Sequence, residues 1–333
     1  MNEIGLVFAG GGGKGAYQIG VWKAIRELGL EERINVIAGT SVGALNAALF
    51  LKGDLELAEQ IWSGISTSGL LPMQDSTDDS LFSNEGLESF IRSVLCIKDR
   101  TNAPQCYATC KNLSSGALRY YNLTNILESS YRKRILLASA ALPGVYPSVE
   151  IDGEIFVDGG ANGDNVPVYP VVNEGVQTII VVHLSQTEPM ENGKWKNTEI
   201  YDIYPSEDLG GFLTGTVDFS SEHALERMKI GYQDATDTLS AITFQMEPET
   251  KYKPLLVLKR PKQVQLKNRN NKGAQETMEK VKFEQDDIRM QYEKRLEELK
   301  QIANSAGQDN AVLWDATVRK YSDTMRRVSA ILG

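Results

Sequence analysis

The sequence predicts an α/β protein of three layers, a mainly parallel central sheet between helices, with a helical hairpin appended at its C-terminal end. Three observations carry this. The first fifty residues read strand, glycine loop, helix, strand, turn, helix, and a βαβα order implies parallel strands with helices on the sheet faces. Short, mostly apolar runs at 4–9, 34–38 and 178–184 suit strands buried on both faces. Beyond about Lys262 the composition changes, and half of the residues from Lys272 to Gln301 are charged.

In chain order, residues 4–9 form the first strand and Gly10–Gly13 break it. Residues 16–28 are helical because Ile19, Trp22 and Ile25 recur on one face, and Gly29 is a natural stop. Residues 34–38 make the second strand, 39–43 a tight turn and 44–51 the second helix. Asp54 suits the N-cap of a helix through Trp62, and Ser83 that of a helix through Leu95. The Ser, Gly, Asp and Thr content of 63–80 reads as loop. Strands are expected near 105–111 and 118–122, then a helix over 133–141 that stops at Leu142-Pro143-Gly144. Residues 149–157 resemble a hairpin turning at Asp152-Gly153. Residues 178–184 are strand-like and 219–239 have helical spacing.

The tail carries two apolar stripes. Met278, Val281, Ile288, Tyr292, Leu296, Leu299 and Ile302 form one, and Trp314, Val318, Tyr321, Met325 and Val328 form the other, on either side of a turn at 305–310. The expected division is an α/β body at 1–262 and a charged helical hairpin at 263–333 that packs on the body or joins copies into a homo-oligomer. A membrane-surface or regulatory role is the alternative.

The chain has 333 residues, 35 Lys+Arg against 44 Asp+Glu, and a formal charge of −9. An acidic balance argues against a nucleic-acid partner and against a polybasic membrane anchor. The N-terminus lacks a basic start followed by a long apolar run, so no signal peptide is expected. The stretch 36–51 is uncharged, but it contains Asn46 and falls short of the roughly 20 residues that span a bilayer. The expected location is cytoplasmic, peripheral at most to a membrane. Cys96, Cys106 and Cys110 lack a CxxC spacing and a nearby His, and read as buried thiols.

Gly10-Gly11-Gly12-Gly13-Lys14-Gly15 fails the P-loop pattern, because Phe8 stands where its first glycine belongs and Gly15 follows the lysine. It passes a bare GxGxxG at Gly10, Gly12 and Gly15, but the second strand ends in Gly39-Thr40-Ser41 and lacks the ribose-binding acid of a dinucleotide fold. Bare glycine amides at a helix N-terminus can instead hold a phosphate or the oxyanion of an acyl-transfer intermediate. Gly39-Thr40-Ser41-Val42-Gly43 lies between a strand and a helix, the setting in which a GxSxG turn presents a nucleophilic serine.

A serine nucleophile needs a base. His183 and His223 are the only histidines, and Ser41, Asp158 and either of them would satisfy a hydrolase triad order. His183 ends an apolar strand and His223 sits among charged residues, which suits core and surface positions better. Asp158 is followed by Gly159-Gly160. Read alone it is either a turn aspartate or a carboxylate that desolvation and contact with the serine make competent as a base.

The glycine loop, the serine turn and Asp158-Gly159-Gly160 together, in that order, resemble the patatin-like phospholipase family, as do 137–147 and Asn165-Val166-Pro167. The resemblance spans roughly residues 4–234. It implies a patatin-like fold and a lipid acyl hydrolase without a catalytic histidine, calcium or other cofactor. Ser41 would be the nucleophile, Asp158 its general base, and the amides of Gly11, Gly12 and Gly13 the oxyanion hole. Gly10, Lys14, Gly15, Gly39, Gly43, Gly159 and Gly160 would support these motifs, and Lys14 would shape the loop or meet a lipid phosphate. The implied partner is a lipid or membrane-surface ester. Three further features stay open. Tyr131-Arg132-Lys133-Arg134 is a headgroup contact or a solvated helix face, and 70–73 and 210–213 are lipid-facing loops or core anchors.

Overall fold

A computed structural model describes residues 3–72, 80, 82–186, 195 and 198–246. Those up to Ala241 fall within one compact unit. The helical hairpin expected over 263–333 and Met73 lie outside the described residues.

The first strand, β1 (Ile4–Phe8), is buried along its whole length. A single tight turn at Gly12–Gly15 leads into α1 (Ala16–Glu27), which buries Ile19, Trp22 and Ile25 as their spacing requires. Gly29 follows with φ of 70°, a left-handed stop that a side chain would strain. The second strand, β2 (Ile34–Thr40), runs two residues past the expected end because Gly39 and Thr40 still pair with the next strand. Then come α2 (Val42–Phe50) and α3 (Leu55–Gly64), whose Asp54 accepts from the Leu57 N–H. A short helical turn, α4 (Thr67–Leu70), interrupts the expected loop, capped by Ser66. Helix α5 (Glu85–Leu95) starts after Asn84, not Ser83.

Strands β3 (Gln105–Asn112) and β4 (Leu118–Asn122) precede α6 (Ser129–Ser139), which begins four residues before the expected 133 and ends two short of 141. The hairpin of β5 (Val149–Ile151) and β6 (Glu154–Asp158) turns at Asp152 and Gly153, both at positive φ. Two elements without a sequence expectation follow on either side of β7 (Thr178–Val182): α7 (Val168–Asn173) before it and β8 (Glu199–Ile203) after it. One wide helical turn at Phe212–Thr216 leads to α8 (Ser221–Met246).

The sheet order is β5-β6-β3-β2-β1-β7-β8, with β4 also on β3. Strands β3, β2, β1, β7 and β8 are parallel, and the β4, β5 and β6 pairings are antiparallel. Val7, Val36, Ala38, Ile179 and Val181 pack against Val168 and Val171 of α7. Leu6, Phe8, Ile37 and Ile180, turned the other way by strand alternation, are buried too, so helices cover both faces. No helix among the described residues is long and apolar enough to cross a membrane.

Candidate active site

Ser41 stands between β2 and α2 with φ of 57° and ψ of −128°. This region is strained for a residue with a Cβ, and such strain persists only where neighbours over-determine it. The flanking glycines allow it. A Cβ on Gly43 would lie 2.2 Å from the Phe8 carbonyl oxygen, and one on Gly39 would lie 2.2 Å from that of Gly43. The Ser41 N–H donates to Ser139 Oγ at 3.1 Å, and Ser139 Oγ donates to the Thr109 carbonyl at 2.8 Å.

Asp158 is the last residue of β6 and is 3% exposed. Burial pushes its carboxyl up to about 6, against hydrogen bonds from the Ser41 hydroxyl and the Gly160 N–H that favour the anion. The Gly160 bond is 2.8 Å. Gly159 and Gly160 are required by close neighbours, since Cβ atoms there would fall 2.6 Å from the Thr109 carbonyl oxygen and 2.5 Å from Asn165 Oδ1.

The glycine loop lies beside Ser41. A Cβ on Gly10 would lie 3.2 Å from the Ser41 Cβ. Its two ends are tied to a buried polar network. Gln18 Nε2 donates to the Ala9 carbonyl at 2.8 Å and Asn46 Nδ2 to that of Gly15 at 2.9 Å. Asn46 also donates to Gln18 and accepts from Trp62 Nε1. Asn165 holds Gly10 through its carbonyl, which accepts the Gly10 N–H at 3.1 Å, and through Nδ2, which donates to the Gly10 carbonyl at 3.3 Å. The Lys14 N–H donates to the Gly11 carbonyl. Gly12 has φ of 57°, and Cβ atoms on Gly12 and Gly13 would each lie 1.9 Å from a backbone oxygen, of Thr216 and Asp218 respectively. Gly15 is confined by Val42 and Trp62. The Lys14 side chain runs beside Gly215, where it packs against the 212–218 segment.

The structure thus brings Ser41, Asp158 and the glycine loop together and draws both histidines elsewhere. His183 is buried, pairs through Nε2 with Asp202 at 2.8 Å and stacks on Tyr204. His223 pairs with Asp218 on the surface. Cys106 and Cys110 are buried free thiols, but Cys96 is exposed, contrary to expectation, because it caps α5 at its outer end. In the basic stretch, Arg132 pairs with Asp99 at 2.7 Å and Lys133 with Glu88 at 3.0 Å. Leu70 and Leu71 are buried anchors, and Phe212 opens the turn packed against the glycine loop.

Gln18, Asn46 and Arg227 had no functional assignment from sequence, and Ser139 and Asn165 were noted only within their motifs. Asn46 did carry a signal, as the single amide within residues 36–51.

A family model described as patatin-like phospholipase matches residues 6–172, half of the chain. Lysophospholipase NTE1 of Saccharomyces cerevisiae is 32% identical over 208 residues, covering 58% of this chain and 12% of that protein. Patatin-like phospholipase domain-containing protein 7 of Rattus norvegicus is 27% identical over 198 residues, covering 56% and 14%. The chain therefore matches only about an eighth of the length of these curated relatives. Among solved structures, VipD from Legionella pneumophila aligns with a TM-score of 0.44 at 12% identity, covering 72% of this chain and 67% of that one. By the family match over half its length, which contains the glycine loop, the serine turn and Asp158-Gly159-Gly160, the chain belongs to the patatin-like phospholipase family.

Proposed function

We propose that the chain is a lipid acyl hydrolase that cleaves fatty-acyl carboxyl esters through a Ser41–Asp158 dyad, with neither histidine in the chemistry. The observation that carries this reading is a buried carboxylate, Asp158, set beside the Ser41 hydroxyl and raised by burial to about 6. An aspartate at its ordinary value near 3.9 is a weak base, and a catalytic base works best with a pKa near the operating pH.

In the proposed sequence, Asp158 accepts the Ser41 proton as Oγ attacks the ester carbonyl. The amides of Gly11, Gly12 and Gly13 stabilise the tetrahedral oxyanion. The protonated Asp158 then donates to the leaving alcohol, which departs to leave an acyl-enzyme. Water, activated by the same carboxylate, releases the fatty acid and restores Ser41. The neighbouring amides are already engaged: Gly10 donates to Asn165, Lys14 to Gly11 and Ser41 to Ser139. This supports assigning the hole to the three glycines between Gly10 and Lys14. The names of the relatives, lysophospholipase and phospholipase, support a lipid ester as substrate.

The test uses wild type, Ser41→Ala and Asp158→Asn, each checked for fold by circular dichroism. Wild type is expected to be labelled at Ser41 by a fluorophosphonate and to hydrolyse lysophosphatidylcholine or a p-nitrophenyl acyl ester. Each variant is expected to lose turnover by about 10³-fold or more. Labelling at another serine, or full turnover by Asp158→Asn, would sink the reading.

A further inference from the structure

Four consecutive glycines have more conformational freedom than any other run of residues, yet an oxyanion hole works only if its donors are already aimed. Something must hold the loop. Gln18 and Asn46 hold its ends, and Asn165 holds Gly10. None of these reaches the stretch between Gly11 and Lys14.

Arg227 of α8 does. Its Nη1 donates to the Gly13 carbonyl at 3.1 Å and to the Asp218 carbonyl at 2.8 Å. Its Nη2 donates to the Thr214 carbonyl at 2.8 Å and to Asp218 Oδ2 at 3.1 Å. The residue is 5% exposed. The planar fork of the guanidinium therefore joins the loop to the 214–218 segment through three backbone carbonyls and one carboxylate. The two segments touch where only glycine fits, because the Thr216 and Asp218 oxygens occupy the space of the missing Cβ atoms of Gly12 and Gly13. The Gly13 carbonyl and the Lys14 N–H share one peptide plane. That N–H closes the turn onto the Gly11 carbonyl. Fixing the carbonyl thus fixes the turn that contains the Gly12 and Gly13 amides.

We propose that Arg227 is a positioning residue for ester hydrolysis, which clamps the Gly13 carbonyl and so holds the Gly12 and Gly13 amides in line for the oxyanion. This rests on the hydrolase reading above.

The experiment compares full-length wild type, Arg227→Ala and Arg227→Lys with a soluble ester, p-nitrophenyl butyrate. Fluorophosphonate titration counts competent sites, so kcat is expressed per titrated site. Affinity for a trifluoromethyl ketone, which forms a tetrahedral oxyanion adduct, is measured alongside. Arg227→Ala is expected to lower kcat per site by about 10–100-fold with KM within about threefold, and to weaken the ketone in parallel with kcat/KM. Arg227→Lys, which keeps the buried charge and fewer donors, is expected to lose less, and carries the same readouts should the alanine variant not fold. Wild-type kcat per titrated site in the variants, with only the titratable fraction or melting temperature reduced, would assign Arg227 a structural role and overturn the proposal. A wild type that is neither labelled at Ser41 nor active on esters would overturn the hydrolase reading itself.

Discussion

Ser41 and Asp158 sit at the ends of two strands that meet head-on along one edge of β3. On that edge Thr40, at the end of β2, pairs with Thr109, and Asp158, at the end of β6, pairs with the next residue, Cys110. Strand β4 occupies the opposite edge of β3 over the same residues. The parallel strand rises to the serine and the antiparallel strand descends to the aspartate. Their side chains meet across a gap that one strand sets. A sheet is stiff, so this arrangement holds the pair with little help from loops.

The buried carboxylate makes the pH profile diagnostic. Asp158 accepts a proton only as the anion, and its pKa lies at about 6. On an ester with no ionisable group, kcat/KM is expected to rise about tenfold per unit below pH 6 and to level off above it. A midpoint near 4, the ordinary aspartate range, would mean that burial does not govern the base in solution.

The same shift links stability to pH. Asp158 binds its proton more tightly folded, near 6, than unfolded, where the ordinary value is 3.8. Between those values the native state holds more protons, so stability falls as pH rises from 4 to 6 and the loss is complete above 6. At 1.36 kcal/mol per unit, the loss is on the order of 3 kcal/mol. Asp158→Asn lacks this titration. Its melting temperature relative to wild type is expected to increase from pH 4 to pH 7, and a difference constant across that range would refute the shift.

His183 and His223 have structural partners that explain them without chemistry. Replacing both with glutamine is expected to lower the melting temperature, mainly through the lost His183–Asp202 bond and Tyr204 stacking, while kcat per titrated site stays within about fivefold of wild type. A double variant that is folded, labelled and more than a hundredfold slower would require a histidine in the mechanism.

The chemistry-bearing residues were legible because each sits in a turn with narrow steric demands. Gly39 and Gly43 around Ser41, and Gly159 after Asp158, are glycines because backbone atoms fill the space of a Cβ, and at Gly160 the Asn165 side chain fills it. Such demands leave a local signature. The meeting of β2 and β6 did not, since strand periodicity says which faces are buried and nothing about which strands are neighbours. Helix α7 is too short to show a helical period, and β8, Glu199-Ile200-Tyr201-Asp202-Ile203, has two acidic residues in five and no clean strand alternation. Arg227 and Gln18 look like ordinary polar helix residues. Their burial and their bonds to the glycine loop appear only in three dimensions.

Ser139 offers the last prediction, because one hydroxyl supports both halves of the site. It accepts the Ser41 N–H and donates to the Thr109 carbonyl, from full burial on α6. Ser139→Ala leaves both backbone groups without that partner, each at a cost of about 1–3 kcal/mol. The expected result is a stability loss of about 2–4 kcal/mol in urea unfolding and a fall in kcat of about tenfold as Ser41 relaxes from its strained backbone. The direction of the kcat change also tests the oxyanion assignment. Were the Ser41 amide a donor to the oxyanion, the serine at 139 would be competing for it, and its removal would raise kcat. A fall supports the glycine loop as the hole, and a rise would move part of that role to Ser41.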